Sequence, residues 1–284
     1  LESLEHARKR NANIWGEIWG SGLSNDAHHP TAPDSSGKGQ AEAMESAIKD
    51  AGITAEIIDY INTHGTGTKA NDIAECRSIS RVFTNQNRII PTSSTKSMIG
   101  HCLGAAGVLE AAATLISTKA GILPPNLGFT VPREGCTGSS FEFVTTNEKQ
   151  FTGSVSLSNS FGFGGNNACL VMSTKVLSNN VKIETEKPRC VITGIGVLHA
   201  QGIDFDSINN SKLLCIDNDT RFSNFPKQTP AALITDFNFK EIDRRLDLKN
   251  MDACSKYLIS AARLALKDAD IPLKPAITSK IGMV

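Results

Sequence analysis

The chain has 284 residues, a length that corresponds to one large domain or to two ordinary ones. Its 29 basic and 29 acidic residues balance, which excludes the clustered basic excess of a nucleic-acid-binding protein. With 40% hydrophobic and 20% charged residues the composition is that of a soluble globular protein. No apolar run reaches the roughly 18 to 20 residues that a membrane span needs.

The start of the sequence and its cysteines indicate a cytosolic piece of a longer chain. The sequence begins at Leu1 rather than Met and carries no signal-peptide pattern. Its seven cysteines are an odd number, and no two of them form a C-x-x-C pair. We therefore expect no disulfide framework, no zinc ribbon, and a reducing, cytoplasmic compartment.

Amphipathic stretches alternate with short apolar runs in the first 173 residues. The spacing of Ala41, Met44 and Ala47 predicts a helix that ends before Gly52. Residues 101–120 are apolar or small on nearly every face, which predicts a helix buried all round. The predicted helices are 40–51, 71–83 and 101–120, and the predicted strands are 57–61, 88–92, 155–157 and 168–172.

A polar stretch, residues 174–187, predicts a linker to a second block. That block opens with a predicted strand at residues 190–193 and continues to a predicted helix at residues 252–269. The apolar stripe of this helix consists of Leu258, Ala261, Ala262, Ala265 and Leu266. Helices that alternate with short apolar strands predict a layered α/β architecture.

Three polar segments, residues 62–68, 93–101 and 159–167, contain the residue types that hold a developing oxyanion. His64 follows a predicted buried strand, where a substrate can approach. His101 opens a predicted helix, whose dipole favours a neutral ring that donates through one N–H. Two neutral imidazoles aimed at one carbonyl oxygen would stabilise an enolate. Lys96 is expected to pair with Glu110, because a buried carboxylate is costly without a partner.

Other patterns predict no cofactor and no metal. The turn at residues 194–196 follows a strand as in a dinucleotide-binding fingerprint, but His199 occupies the position of the third glycine. The adjacent pair His28 and His29 lacks the spacing of a metal site, and we assign it to a plain loop. Phe161 fits core packing as well as it fits a place in the site.

The segments THGTGT (residues 63–68), SSTKSMIGHCLGAAGVLE (residues 93–110) and NSFGFGGNN (residues 159–167) resemble the carboxyl-terminal half of elongating β-ketoacyl-acyl-carrier-protein synthases. The likeness extends from Leu1 to the strand near Met172. It implies the thiolase fold, a five-layer α/β/α/β/α sandwich of two similar halves. It also implies an acyltransferase that condenses malonyl on acyl carrier protein with a cysteine-bound acyl thioester, with loss of carbon dioxide.

The resemblance implies a role for each matching residue. His64 and His101 correspond to the pair that holds the malonyl thioester oxygen, and Lys96 with Glu110 to a supporting ion pair. The implied substrate-binding residues are Thr66 and Thr68, which contact malonyl and phosphopantetheine, and the gate residue Phe163 with its mobile neighbours Gly162, Gly164 and Gly165. No cofactor is implied, because the substrates are carried on the phosphopantetheine of acyl carrier protein. The expected partners are that carrier and a second subunit, in a homodimer or a pair of synthase and chain-length factor.

The nucleophile of the family lies in its amino-terminal half, in a turn resembling DTACASS, and no such segment is present. Cys254 is rejected for this role because it opens an amphipathic helix with no strand before it. The second block, with CVITGIGVLHAQG, TRFSNF and RRLDLKNMDACSKYLISAARLALKDADI, resembles the start of an amino-terminal half. We therefore expect residues 1–173 to form a carboxyl-terminal half, residues 174–187 a linker, and residues 188–284 a truncated second synthase-like unit.

This inverted order fits a fragment across the junction of two fused units better than a circular permutation, in which the nucleophile would still be missing. We expect the intact protein to act in cytoplasmic fatty-acid or polyketide synthesis, and this piece to be inactive alone. The alternative is a non-catalytic partner resembling a chain-length factor. A degradative thiolase is disfavoured, because it lacks the paired histidine motifs. A half of this kind should expose apolar surface that its missing partner would cover.

Overall fold

A computed structural model describes residues 1–84, 88–145, 147–176, 190–199, 202–203, 214–215, 230–231, 234, 237–242 and 251–272. The helices are α1 (Leu4–Lys9), α2 (Lys38–Asp50), α3 (Lys69–Val82), α4 (Lys96–Ile99), α5 (Ala106–Lys119) and α6 (Ala253–Asp268). The strands are β1 (Glu2–Ser3), β2 (Gly16–Asn25), β3 (Tyr60–Asn62), β4 (Ile90–Ser93), β5 (Ile122–Leu123), β6 (Phe141–Phe143), β7 (Lys149–Gln150), β8 (Val155–Gly162), β9 (Asn166–Ser173), β10 (Cys190–Ile192), β11 (Leu214–Cys215) and β12 (Pro230–Ala231). None of the helices in the described ranges combines the length and apolarity that a bilayer crossing requires.

The chain forms two compact units. The larger comprises Glu2–Lys9 and Ile14–Ile192, and the smaller comprises Arg10–Asn13 and the described part of Thr193–Met283. Most of the predicted linker, residues 177–187, lies outside the described residues, as do residues 220–225 and 243–250 of the second block.

One sheet of eight strands organises the larger unit, in the order β1-β10-β2-β9-β8-β3-β4-β6. Strands β8, β3, β4 and β6 run parallel, and β9 runs antiparallel to β8. Strand β10, which the sequence assigns to the second block, pairs with both β1 and β2 in this sheet.

The two faces of the sheet carry different helices, because successive strand residues point to opposite faces. In β9, Cys169 and Val171 join the apolar cluster formed with α2 and α3. Leu170 and Met172 face the other way and pack with Ala111 and Leu115 of α5. Helix, sheet and helix thus form three layers, and the layered α/β class predicted from the sequence is confirmed.

Helix α2 lies unusually close to β2, because two glycines face it. A Cβ atom at Gly22 would lie 2.0 Å from Ala43 O, and one at Gly20 would lie 2.5 Å from Ala47 O. Those distances are far inside van der Waals contact, so only glycine permits this approach. Below the helix end, the Ser21 N–H donates to Asp50 Oδ2 over 3.0 Å.

The close approach of α2 to β2 predicts how a substitution changes stability. Gly22→Ala should reduce the free energy of unfolding by about 3 kcal/mol or more, because the new methyl group must displace backbone atoms of α2. Gly104→Ala is the control, since a Cβ there meets nothing within 4 Å. It should change stability by less than about 1 kcal/mol. Urea unfolding of both variants tests this, and equal losses would contradict it.

The smaller unit repeats this strand-to-helix packing with α6. A Cβ at Gly194 would lie 2.1 Å from Ala265 O, and one at Gly196 would lie 2.0 Å from Ala261 O. The Ile195 N–H donates to Asp268 Oδ2 over 2.9 Å, as Ser21 does to Asp50. The turn at residues 194–196 therefore serves helix packing.

Several predicted elements differ in detail from the structure. The strand predicted at 57–61 begins at Tyr60, because Ala55–Ile57 form a 3₁₀-helix. Helix α6 has its predicted bounds within one residue, but Leu258, assigned to its apolar stripe, is 67% exposed. The helix predicted at 101–120 begins only at Ala106, and Val108 on it is exposed, so it is not buried all round.

Candidate active site

The parallel strands β3, β4 and β8 bring the three polar segments to one edge of the sheet. Their carboxyl ends lie side by side, with Asn62 paired to both Ser93 and Ser158. His64 follows β3, Lys96 follows β4, and the glycine-rich turn follows β8. Segments far apart in the sequence therefore meet where ligands of parallel sheets commonly bind.

The imidazole of His64 is buried, and a lysine donates a hydrogen bond to one of its ring nitrogens. Lys96 Nζ donates to His64 Nδ1 over 3.3 Å. Because Nδ1 accepts, the ring proton lies on Nε2, which becomes a donor. Burial, then the Lys96 ammonium and His101, lowers the pKa of His64 to about 3. The ring is therefore neutral at physiological pH.

His101 is exposed and lies between α4 and the 3₁₀-helix Leu103–Ala105, not at the start of α5. The predicted dipole argument is therefore wrong for this residue, because Gly100 and Leu103 take positive φ angles of 77° and 48° and break the helix. The Leu103 N–H donates instead to His101 Nδ1 over 3.1 Å. This contact fixes the same tautomer as in His64, with the proton on Nε2.

The two imidazoles are in edge-to-face contact. Their ring centroids are 5.6 Å apart and their planes meet at 85°. Phe161, 6% exposed, packs its ring 5.8 Å from His64. Phe161 thus belongs to the core and also to the wall of the site.

Lys96 and Glu110 form a buried ion pair behind His64. Lys96 Nζ donates to Glu110 Oε1, and the side chains are 4% and 1% exposed. Burial raises the pKa of Glu110, and the Lys96 ammonium opposes that rise. Lys96 therefore links Glu110 to His64.

Glu75 is a site residue that sequence reasoning missed. Its carboxylate accepts the backbone N–H groups of His64 and Gly65 over 2.8 and 2.9 Å. The side-chain amides of Asn71 and Asn159 each donate to it over 3.2 Å. This buried carboxylate of α3 holds the backbone that carries His64. Its position in the first turns of a helix suggested only a favourable interaction with the helix dipole, and no local signal marks the contact.

The depressed pKa of His64 predicts a pH dependence. An unfolded histidine protonates near pH 6.5, whereas the folded His64 stays neutral to about pH 3. Its contribution to stability is thus complete above pH 6.5 and is lost as the pH falls, by roughly 1.4 kcal/mol per pH unit. His64→Gln should remove this part of the slope between about pH 6 and pH 4.

The test is chemical unfolding of the two proteins at several pH values. The stability difference between wild type and His64→Gln should shrink as the pH falls, and His28→Gln, at an exposed loop residue, is the control substitution. A pH-independent difference for His64→Gln would contradict the prediction.

Of the remaining predicted residues, most lie at the open side of the site, whereas Gly165 is buried. The hydroxyls of Thr66 and Thr68 are 2.9 Å apart at the protein surface. Phe163 is 76% exposed, beside Gly162. Gly164 and Gly165 both take positive φ angles, of 82° and 71°. The turn is tethered to residues 26–30, because the Gly164 N–H donates to Pro30 O and the Asp26 N–H donates to Gly165 O.

Apolar side chains on both sides of His101 are exposed. They are Met98, Ile99, Leu103 and Val108. His29 Nδ1 accepts the N–H groups of Thr31 and Ala32, which gives the His28–His29 pair a local role in its loop. Within the described ranges, no group of three or more His, Cys, Asp or Glu side chains is placed to hold a metal ion.

Known proteins resemble this chain over its first part. The sequence profile of the family described as "Beta-ketoacyl synthase, C-terminal domain" matches residues 15–130. The 3-oxoacyl-[acyl-carrier-protein] synthase 2 of Coxiella burnetii is 44% identical over 173 residues, which are 61% of this chain and 41% of the relative. The chain thus spans about two fifths of that relative's length.

Solved structures of ketosynthases also resemble this chain. The ishigamide ketosynthase/chain length factor is 38% identical with a TM-score of 0.56, over 61% of this chain and 41% of that one. A type II polyketide ketosynthase in complex with its acyl-carrier protein is 31% identical with a TM-score of 0.58, over 61% and 42%. The fold of the matched part is therefore that of the thiolase-like ketosynthases.

Proposed function

We propose that the chain, which matches the carboxyl-terminal domain of β-ketoacyl synthases over residues 15–130, supplies the carboxyl-terminal half of an acyltransferase acting on malonyl-acyl carrier protein. In this reaction the bond between the malonyl carboxylate and C2 breaks and carbon dioxide leaves. The electron pair passes through C2 to the thioester oxygen as an enolate. C2 then attacks the cysteine-bound acyl thioester, and the cysteine thiolate leaves.

The observation that carries this proposal is the pair of imidazoles with the same fixed tautomer. Each Nδ1 accepts an N–H, so each ring offers Nε2–H to a shared oxygen. Two such donors stabilise the negative charge that develops on the thioester oxygen. A neutral imidazole is also too weak an acid to quench C2, and the low pKa of His64 keeps it neutral.

Lys96 and Glu110 support this arrangement as positioning residues. The Lys96 N–H selects the tautomer of His64, and its positive charge disfavours a second proton on the ring. Glu110 compensates the buried ammonium.

The substrates are carried on phosphopantetheine, and no further cofactor takes part. We assign Thr66 and Thr68, at the open side of the site, to the contact with malonyl and phosphopantetheine. Phe163 serves as the gate to the acyl site, and the positive φ angles of Gly164 and Gly165 support a turn that glycine alone adopts easily. The carrier protein is the expected partner, as in one of the similar solved structures.

The missing nucleophile must come from an amino-terminal half. Met98, Ile99, Leu103 and Val108 are exposed, and we propose that such a half covers them and brings its cysteine toward His101. We therefore propose that this piece is inactive alone and acts in the reducing cytosol. Five of the cysteines, Cys76, Cys102, Cys136, Cys169 and Cys190, are free.

Residues 188–284 begin a second synthase-like unit in this proposal. The support is the repeated packing of Gly194 and Gly196 on α6, which matches that of Gly20 and Gly22 on α2. Such a repeat is expected if both stretches open similar halves of one fold.

The second candidate function is a non-catalytic partner of the chain-length-factor type, since one similar structure contains such a subunit. The intact His64, Lys96 and His101 favour the synthase for the first unit. The experiment is mass spectrometry of carrier-bound products after the full-length protein meets acyl- and malonyl-acyl carrier protein. Formation of 3-oxoacyl product supports the synthase. If 3-oxoacyl product forms only after a separate ketosynthase is added, the second candidate is supported.

A further inference from the structure

A polar groove of about 470 Å³ lies at the opposite edge of the sheet from the histidines. Its residues precede the same parallel strands whose carboxyl ends form the site, with Asp59 before β3, Arg88 before β4 and Ser154 before β8. Asp59 and His64 flank β3 and are five residues apart, so the two edges are separated by up to roughly 17 Å along that strand. The groove is therefore distinct from the histidine site.

The charged side chains of the groove are mostly positive, although the chain as a whole is neutral. Arg88, Lys149 and Lys175 line it, against the single carboxylate of Asp59. That carboxylate is already occupied, because Arg88 Nη1 lies 3.0 Å from Oδ1 and the N–H groups of Ser154 and Val155 donate to Oδ2. Asp59 is thus paired within the groove wall, and the lining cations outnumber it three to one.

Several hydrogen-bond donors of the groove are available to a ligand. Lys175 makes no ion pair with any residue in the described ranges. Lys149 pairs with exposed Glu142, a surface pair that contributes little and can exchange partners. Arg88 commits two of its five N–H groups, to Asp59 and Ile58 O.

The backbone adds two further donors. The N–H groups of Thr152 and Gly153 make no hydrogen bond within the part of the chain that the structure describes. Gly153 packs so closely on Asp59 that a Cβ would lie 2.5 Å from the Asp59 Cβ. That contact fixes the turn beside Asp59, in the wall of the groove.

We infer that this groove binds a small oxyanion, a phosphate monoester or a carboxylate. Three cations and two amide N–H groups around a polar space form the donor set that such groups prefer. The site would sit on the rigid strand starts of the sheet, and its binding would not need His64 or His101. It does not rest on the proposed condensation.

The test is isothermal titration calorimetry of the full-length protein at low ionic strength with inorganic phosphate, and separately with succinate. Saturable binding of either anion is expected. Lys175→Gln should weaken it about tenfold, as the loss of one charge-assisted hydrogen bond implies. Lys49→Gln, at an exposed lysine on α2 outside the groove, should leave the affinity unchanged. Preference for one anion identifies the source of the ligand.

Two outcomes would overturn the inference. One is the absence of saturable binding by both anions. The other is equal affinity in wild type and Lys175→Gln, which would place the anion elsewhere. If the heat of binding is too small to measure, hydrogen exchange at residues 152–154 provides a second measurement. Phosphate should slow this exchange in wild type and not in Lys175→Gln.

Discussion

Replacing His64 by alanine in the full-length protein is expected to slow carbon dioxide release from malonyl-acyl carrier protein by about 10²- to 10³-fold. The substitution removes one of the two Nε2–H donors proposed to stabilise the enolate oxygen. Acyl transfer to the proposed nucleophilic cysteine of the amino-terminal half should continue, because that step forms no enolate. The two half-reactions should therefore separate.

The measurement pairs carbon dioxide release with mass spectrometry of the acyl-enzyme. His28→Ala serves as the control, since His28 lies on an exposed loop. It should change neither half-reaction. Decarboxylation at the wild-type rate in His64→Ala would eliminate the role assigned to this ring.

Lys96→Met is expected to reduce the free energy of unfolding by about 3 to 5 kcal/mol. It leaves the Glu110 carboxylate, 1% exposed, without its cation. The double variant Lys96→Met/Glu110→Leu should recover most of that loss, because no unpaired buried charge remains. Decarboxylation should not recover with stability, because Nδ1 of His64 still lacks the Lys96 donor.

Urea unfolding and the decarboxylation assay, run on the same proteins, give the comparison. The matched control is the exposed pair Lys149–Glu142, where Lys149→Met should cost less than about 1 kcal/mol. If decarboxylation recovers together with stability in the double variant, Lys96 and Glu110 contribute only to the stability of the fold, which would contradict their positioning role.

Elements with a clear local pattern could be predicted from the sequence. Helices α2 and α6 have the predicted bounds within about two residues, because their apolar spacing is read directly from neighbouring positions. The convergence of His64, Lys96 and His101 was also predictable, through the motifs that carry them.

Features that depend on backbone geometry or on tertiary contacts could not be predicted. The late start of α5 follows from the positive φ of Leu103, an angle that leucine rarely adopts. Glu75 gained its role from the approach of α3 to the loop after β3, which no spacing indicates. Leu258 is exposed although it lies on the apolar stripe. The spacing of apolar residues shows that they share one helix face, but it does not show whether another element packs against that face.

Carbon dioxide release by a full-length protein whose nucleophilic cysteine is replaced by alanine is the most direct test of the central claim. The residues proposed to hold the enolate oxygen lie in this chain, whereas the nucleophilic cysteine is proposed to lie in an amino-terminal half. We predict that malonyl-acyl carrier protein still loses carbon dioxide in that variant while condensation stops, and that adding His101→Ala ends the release. Loss of decarboxylation with the cysteine alone, with both histidines intact, would contradict it.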